Sequence, residues 1–203
     1  MDAAALTPDA LAEAMLHGYA VGAFAMGDAD GTIEWYDPDP RAILGPDGLH
    51  VSRSLRRSLD GRFVVTMDGA PEDVVRACAM RAPGREETWI SEPFLEAVLV
   101  LLERGWVHTV EARRDGALVG GVYGVQMNGV FFAESMFSRL PAGTDASKVC
   151  LAHLWQHLDD RGIGLLDCQF LTPHLESLGF VEVPRSMWRR RLHDALMTHV
   201  SWT

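Results

Sequence analysis

Glu134 sits inside the run GVFFAESMFS, flanked by Phe131, Phe132, Met136 and Phe137. A carboxylate in a half-buried strand is costly unless it is paired or put to chemical use. Period-two alternation predicts that Phe132, Glu134 and Met136 share one face of that strand. Asp167 and Gln169 share a face of LLDCQF in the same way. For either strand alone, a structural hydrogen bond or a salt bridge to an arginine is sufficient reason. Two such strands in one domain equally suit a shared acidic pocket, whose use would be acid–base or electrostatic work.

Other chemistries find little support. GxSxG, a P-loop and HExxH are missing, and no GxGxxG follows a strand. His153 and His157 lie four apart on an expected helix, but no third metal ligand stands at convincing spacing. Cys168 adjoins Asp167 without a paired histidine, which argues against a nucleophilic thiol. Cys78, Cys150 and Cys168 are too few and too scattered for a disulfide framework or a CxxC site.

The elements that must position these residues follow from patterning. Thr7-Pro8-Asp9 predicts a capped helix running to about Gly18. From Gly22 to Pro40 the chain is rich in Gly, Asp and Pro, and reads as loop with one short strand around Ile33, Trp35 and Tyr36. That stretch separates a small N-terminal domain, 1–40, from a main domain, 41–203. Within the latter, 62–68 reads as a strand and 71–80 as a helix. Ser91 would cap a helix closed by Gly105. Strands at 107–113, 117–126 and 130–137 are separated by the turns Arg114-Asp115-Gly116 and Asn128-Gly129. A helix from Ala146 to Asp160, a strand at 164–170, a helix at 172–179, a strand at 180–183 and a final basic helix complete the order. The reading is mixed α/β (α+β) with an antiparallel centre.

Composition bounds the possibilities. The chain has 203 residues, 48% hydrophobic and 23% charged, which is ordinary globular material for one medium domain with at most a small extension. No run approaches the ~18 apolar residues of a membrane span, so no membrane partner is expected. A basic n-region is absent, so the expected location is the cytoplasm. Eighteen basic against 28 acidic residues give a net charge of −10, unlike a generic nucleic-acid coat protein. Only Lys148 is a lysine; the arginines concentrate in Arg53, Arg56, Arg57 and Arg62, and again in Arg185, Arg189, Arg190 and Arg191. Each cluster is either a phosphate-binding fork or a solvated face.

The blocks WYDPDPRAIL (35–44), LHVSRSLRR (49–57), ETWI (87–90), LVGGVYGV (118–125), FFAESMFSR (131–139), ASKVCL (146–151) and LLDCQFLTPHLESLG (165–179) together resemble the leucyl/phenylalanyl-tRNA–protein transferases. The resemblance runs in order over about residues 8–196. It implies a GNAT-like acyltransferase domain with a mixed, largely antiparallel sheet, preceded by a small N-terminal domain. The implied activity is transfer of Leu or Phe, less readily Met, from aminoacyl-tRNA to a protein's N-terminal Arg or Lys. The product enters the N-degron pathway of degradation. Neither cofactor nor metal is implied, and a monomer is the default. The acetyl-CoA loop R/QxxGxG/A is absent, in keeping with a different acyl donor.

By that resemblance, Asp167 would polarise Gln169, whose side-chain oxygen holds the acceptor amine. Glu134 would pair with the cationic acceptor terminus. Phe131, Met136 and Leu151 would line the aminoacyl pocket, and Trp89 and Tyr19 would belong to the aromatic site for the 3′-terminal adenosine. Where the family has GIFPW this chain reads GAFAM, so Met26 stands in place of a stacking tryptophan. The family's usual leader is also missing before the N-terminal domain. Arg53, Arg56, Arg57, Arg62 and Lys148 would follow acceptor-stem phosphates, while Arg189–Arg191 stay a solvated face. Two rivals remain open at this point: an acyltransferase using acyl-CoA, and a non-catalytic tRNA- or degron-binding module.

Overall fold

A computed structural model describes residues 6–28, 30–82 and 87–203. Residues 1–5 and 29 of the expected N-terminal domain lie outside the described residues. Among the latter, seven helices and nine strands are present. Helix α1 (Pro8–Val21) starts where the Thr7 hydroxyl accepts the Ala10 N–H at 3.2 Å, and ends at Gly22, whose φ of 101° only glycine adopts freely. A Cβ at Gly22 would also lie 2.7 Å from the Trp188 ring.

The stretch expected as loop with one strand contains two: β1 (Phe24–Gly27) and β2 (Ile33–Tyr36) pair antiparallel as a hairpin. Their Gly- and Asp-rich surroundings hide a Phe24/Met26 alternation only two residues deep. Strand β3 (Arg41–Leu44) and helix α2 (Arg53–Leu59) were likewise not expected, being four and seven residues long. Then come β4 (Val64–Met67), α3 (Pro71–Ala79), α4 (Glu92–Glu103), β5 (Val107–Arg114), β6 (Ala117–Met127), β7 (Val130–Ser138), α5 (Ala146–Arg161), β8 (Leu165–Gln169), α6 (Pro173–Glu176), β9 (Phe180–Val183) and α7 (Arg185–Leu196). Ser91 occupies the N-cap position of α4, but its side chain makes no capping bond. Instead it packs on Gly27, where a Cβ would lie 2.2 Å from its Oγ.

Seven strands form one sheet in the order β4-β5-β6-β7-β8-β3-β9. Every pairing is antiparallel except β7–β8. The sheet is therefore mixed and largely antiparallel, as expected. One face packs on α1, α3, α4 and α7 through Leu11, Met15, Val74, Phe94, Leu101, Phe132 and Trp188. The other packs on α2 and α5 through Leu55, Val122, Phe131, Leu154 and Leu166.

Two features matter for the site. The parallel ladder holds only Val130↔Leu165, Phe131↔Leu166 and Phe132↔Asp167. Beyond Phe132, β7 stays with β6 and leaves β8, so the sheet opens into a gap. In that same stretch β7 bulges: Tyr123 pairs with Ser135 and Gly124 with Ala133, leaving Glu134 as the extra residue. The bulge breaks the alternation. Met136 pairs with Val122 and packs with the α5 cluster, while Phe132 packs with the α1 cluster. The expectation that Phe132, Glu134 and Met136 share a face is thus corrected for Met136.

Candidate functional site

The gap between β7 and β8 is floored by Ala133–Met136, all partly exposed, and walled by the end of β8. Asp167 is completely buried there. Arg41 of β3, also fully buried, binds it through Nε at 3.0 and 3.2 Å and Nη2 at 2.5 Å. Its Nη1 donates to the Gly22 carbonyl at 3.3 Å, tying the end of α1 to the same carboxylate. The guanidinium lies between the rings of Phe24 (4.7 Å) and Trp188 (4.3 Å). Burying an ion pair is costly, but removing one member of an existing pair costs about 3–5 kcal/mol. Asp167 is thereby pinned rather than free to move.

Gln169 ends β8 with φ at +62°, a left-handed conformation that costs a non-glycine residue roughly 1–2 kcal/mol. The Asp167 side chain compensates by accepting the Gln169 N–H at 3.0 Å. The twist sends the Gln169 amide across the gap, where Nε2 donates to Glu134 Oε1 at 3.2 Å. With its nitrogen committed to Glu134, the amide oxygen is left for a donor in the gap. Asp167 and Gln169 of β8 and Glu134 of β7 thus form one connected group.

Glu134 lives in a different setting from Asp167. Burial is the main influence and pushes its carboxyl up to about 8; Tyr19 and the Arg41 charge pull down, and the Asp167 charge pushes up. The Tyr19 hydroxyl is buried and aimed at Glu134 without closing a full hydrogen bond, and the Tyr123 hydroxyl is also buried without a partner. Burial and the nearby Glu134 charge hold both phenols well above their ordinary value. Two buried tyrosine hydroxyls thus neighbour this carboxyl.

Other expected residues fall in several places. Tyr19 is 0% exposed and its ring stacks on Phe132 at 4.7 Å. It has no free face for a nucleobase, so its expected place in the adenosine site is corrected to a place beside Glu134. Trp89 meets Phe94 edge-on at 5.1 Å, and its carbonyl accepts the N–H of Gly27. This brings Trp89 beside Met26, both partly buried. Phe131 and Leu151 are packed interior residues in one cluster with Met136. Arg53, Arg56, Arg57 and Arg62 are exposed on and just beyond α2. Lys148 binds Asp145 at 3.1 Å, and Asp145 accepts from Ser58 of α2 at 3.2 Å, which ties Lys148 to the helix that carries Arg53, Arg56 and Arg57. Arg189 is not simply solvated: with Arg185 it binds Asp37. His157 faces the Trp202 carbonyl at 3.0 Å. Burial pushes the Cys150 and Cys168 thiols up, away from nucleophilic use.

Sequence reasoning missed Arg41 and Tyr123. An arginine in the apolar run RAIL was the available signal, although its partner lies 126 residues away.

The profile of the family described as leucyl/phenylalanyl-tRNA protein transferase matches residues 43–193. A leucyl/phenylalanyl-tRNA–protein transferase from Rubrobacter xylanophilus is 50% identical over 193 residues, covering 94% of this chain and 95% of that one. One from Novosphingobium aromaticivorans is 49% identical, covering 90% of this chain and 70% of its own length. Another, from Rhodospirillum rubrum, is 45% identical, with 94% and 90% covered. Among solved structures, a ribosomal-protein-alanine N-acetyltransferase from Brucella melitensis biovar Abortus is similar at a TM-score of 0.40 and 14% identity, over 70% of this chain and 95% of that chain. A GCN5-related N-acetyltransferase from Kribbella flavida is similar at a TM-score of 0.42 and 13% identity, over 73% and 55%.

Proposed function

The chain belongs to the leucyl/phenylalanyl-tRNA protein transferase family, and from that premise we propose that it moves Leu or Phe, less readily Met, from aminoacyl-tRNA to the N-terminal Arg or Lys of a protein. The product carries a degradation signal of the N-degron type. The reaction fits a cytoplasmic enzyme; among the described residues no helix is long and apolar enough to cross a membrane.

An aminoacyl ester is already activated, so the chemical task is to deprotonate the acceptor. An α-ammonium has a pKa of about 7.7–8.0. Glu134, raised by burial to about 8, is matched to it. In this reading the ammonium lies in the gap between Gln169 Oε1 and Glu134. Its first proton goes to Glu134. The amine nitrogen attacks the ester carbonyl, the C–N bond forms, and the bond to the ribose oxygen breaks. The second nitrogen proton leaves with that oxygen as the hydroxyl. Asp167 does not touch substrate; through Arg41 and the Gln169 N–H it fixes where the amide stands. Trp89 and Met26 would cover the terminal adenine, and the α2 arginines with Lys148 would meet acceptor-stem phosphates.

The observation that carries this reading is the Asp167–Gln169–Glu134 connection across the open end of β7 and β8. Labelled Phe-tRNA mixed with a peptide beginning with Arg provides the test. Wild type should label the peptide, and Asp167→Ala and Glu134→Ala should each transfer at least ~100-fold more slowly. An unlabelled peptide with wild type contradicts the transferase reading; full rates in both variants contradict the site.

A further inference from the structure

We propose that Phe170, Tyr36 and Glu34 form the subsite for the cationic side chain of the acceptor's first residue, an inference that rests on the transferase reading above. Phe170 directly follows Gln169. The left-handed backbone of Gln169 and the Phe170 N–H, which donates to the Cys168 carbonyl at 2.7 Å, turn the chain outward there. The effect is abrupt: Gln169 is 8% exposed and Phe170 is 44% exposed. A large ring at the rim of a polar site, within one residue of the group that holds the acceptor amine, needs a reason.

Its surroundings supply one. Phe170 meets Phe24 edge-on at 5.4 Å and Tyr36 edge-on at 5.9 Å. Phe24 and Tyr36 are direct partners across the β1–β2 hairpin, with rings 5.7 Å apart and 22° from parallel. The three rings make a corner open on the Phe170 side. The adjoining pair on the same hairpin face is Met26↔Glu34. Glu34 is exposed and accepts a hydrogen bond from the Tyr36 hydroxyl, an interaction that raises the phenol above its ordinary value and keeps it a donor. Asp28 adds a further negative field at Tyr36.

Aromatic faces beside a carboxylate recognise a guanidinium or an ammonium on a long apolar stem. The same rings already show this chemistry on their inner side, where Phe24 covers the Arg41 guanidinium. The nearby cations Arg185 and Arg189 are already bound to Asp37. The arrangement therefore separates two tasks. Glu134 and Gln169 read the α-amine, and the outer corner reads whether the side chain is basic.

The test uses the 203-residue chain and three peptides that differ only at the first residue: Arg, Lys or citrulline, the uncharged isostere of Arg; peptide is varied at saturating Phe-tRNA, and Phe-tRNA at saturating peptide. Wild type should favour Arg over citrulline. In Glu34→Gln and in Phe170→Ala, KM for the Arg and Lys peptides should rise about fivefold or more, with little change for citrulline. The Arg-to-citrulline preference should fall accordingly, while KM for Phe-tRNA and kcat for the Arg peptide stay within about twofold of wild type. Circular dichroism and Tm of each variant establish that it is folded. Unchanged preference in both folded variants overturns the subsite, and so does a rise in KM for Phe-tRNA with peptide KM unaltered, which would mark a nucleotide platform. Absence of transfer by wild type would instead defeat the transferase reading itself, a result distinct from either.

Discussion

Asp167 and Glu134 are carboxylates on neighbouring strands, joined through one glutamine, yet the fold treats them oppositely. Asp167 stands where β3 and β8 pair, and Arg41 neutralises it with three contacts while two aromatic rings enclose the guanidinium. Glu134 stands where β7 has left β8, on a bulge, with one amide donor and two tyrosine hydroxyls that complete no bond. The first arrangement freezes geometry. The second leaves a proton site adjustable. A third acid, Glu111 of β5, sharpens the lesson: it is fully buried, accepts from Thr66 and Thr109, and receives the Gly69 and Ala70 N–H groups before α3. That carboxylate is fully occupied, fixing the turn that leads into α3. Burial alone therefore does not distinguish Glu134, the proposed acid, from Glu111; incomplete hydrogen bonding beside an opening does.

Breaking the clamp should have the largest effect. Arg41→Met leaves Asp167 buried and unpaired, and should cost about 3–5 kcal/mol of stability in denaturant unfolding. Adding Asp167→Asn should return a large part of that loss. Equal stability of the two variants would mean that the ion pair is not what holds this region. Next, Glu111→Gln should lose about 1–3 kcal/mol, because one of its oxygens becomes a donor facing other donors. Its transfer rate per folded molecule should remain that of wild type; a specific loss of activity would undo the division between architectural and working acids.

A further prediction concerns pH. Burial raises the folded-state pKa of Glu134 from the ordinary 4.5 to about 8. Its contribution to stability is fully present below about 4.5 and is lost as pH rises through about 8. Glu134→Gln cannot ionise, so its Tm relative to wild type should increase from pH 5 to pH 9. A constant difference across that range would show that the carboxyl titrates alike in folded and unfolded chains.

Much of the frame was legible in the sequence because local patterns agreed with it. The β5–β6–β7 meander followed from alternating apolar runs and the Asp115-Gly116 turn, with φ at 53° and 80°. Helix α5 ended at Gly162 in the left-handed region, as its sequence suggested. Glu134, Asp167 and Gln169 stood out because polar side chains interrupted apolar strands. What stayed hidden depends on long-range placement. Arg41 became visible only once β3 inserted between β8 and β9. Tyr19 was expected at the adenosine site, and only its packing shows the ring buried with its hydroxyl beside Glu134. Met136 was misplaced because period-two reasoning presumes a regular strand, and the bulge at Glu134 violates that presumption.

The central claim is that the acid in the opening between β7 and β8 takes the proton of the incoming amine. Single-turnover transfer of labelled Phe to an Arg-initiated peptide, followed from pH 6 to pH 9 for wild type and Glu134→Gln, addresses it directly. Wild type should accelerate with pH and level off near 8, and the variant should be slower by at least ~100-fold. A variant that keeps both the rate and the pH profile of wild type would contradict the account.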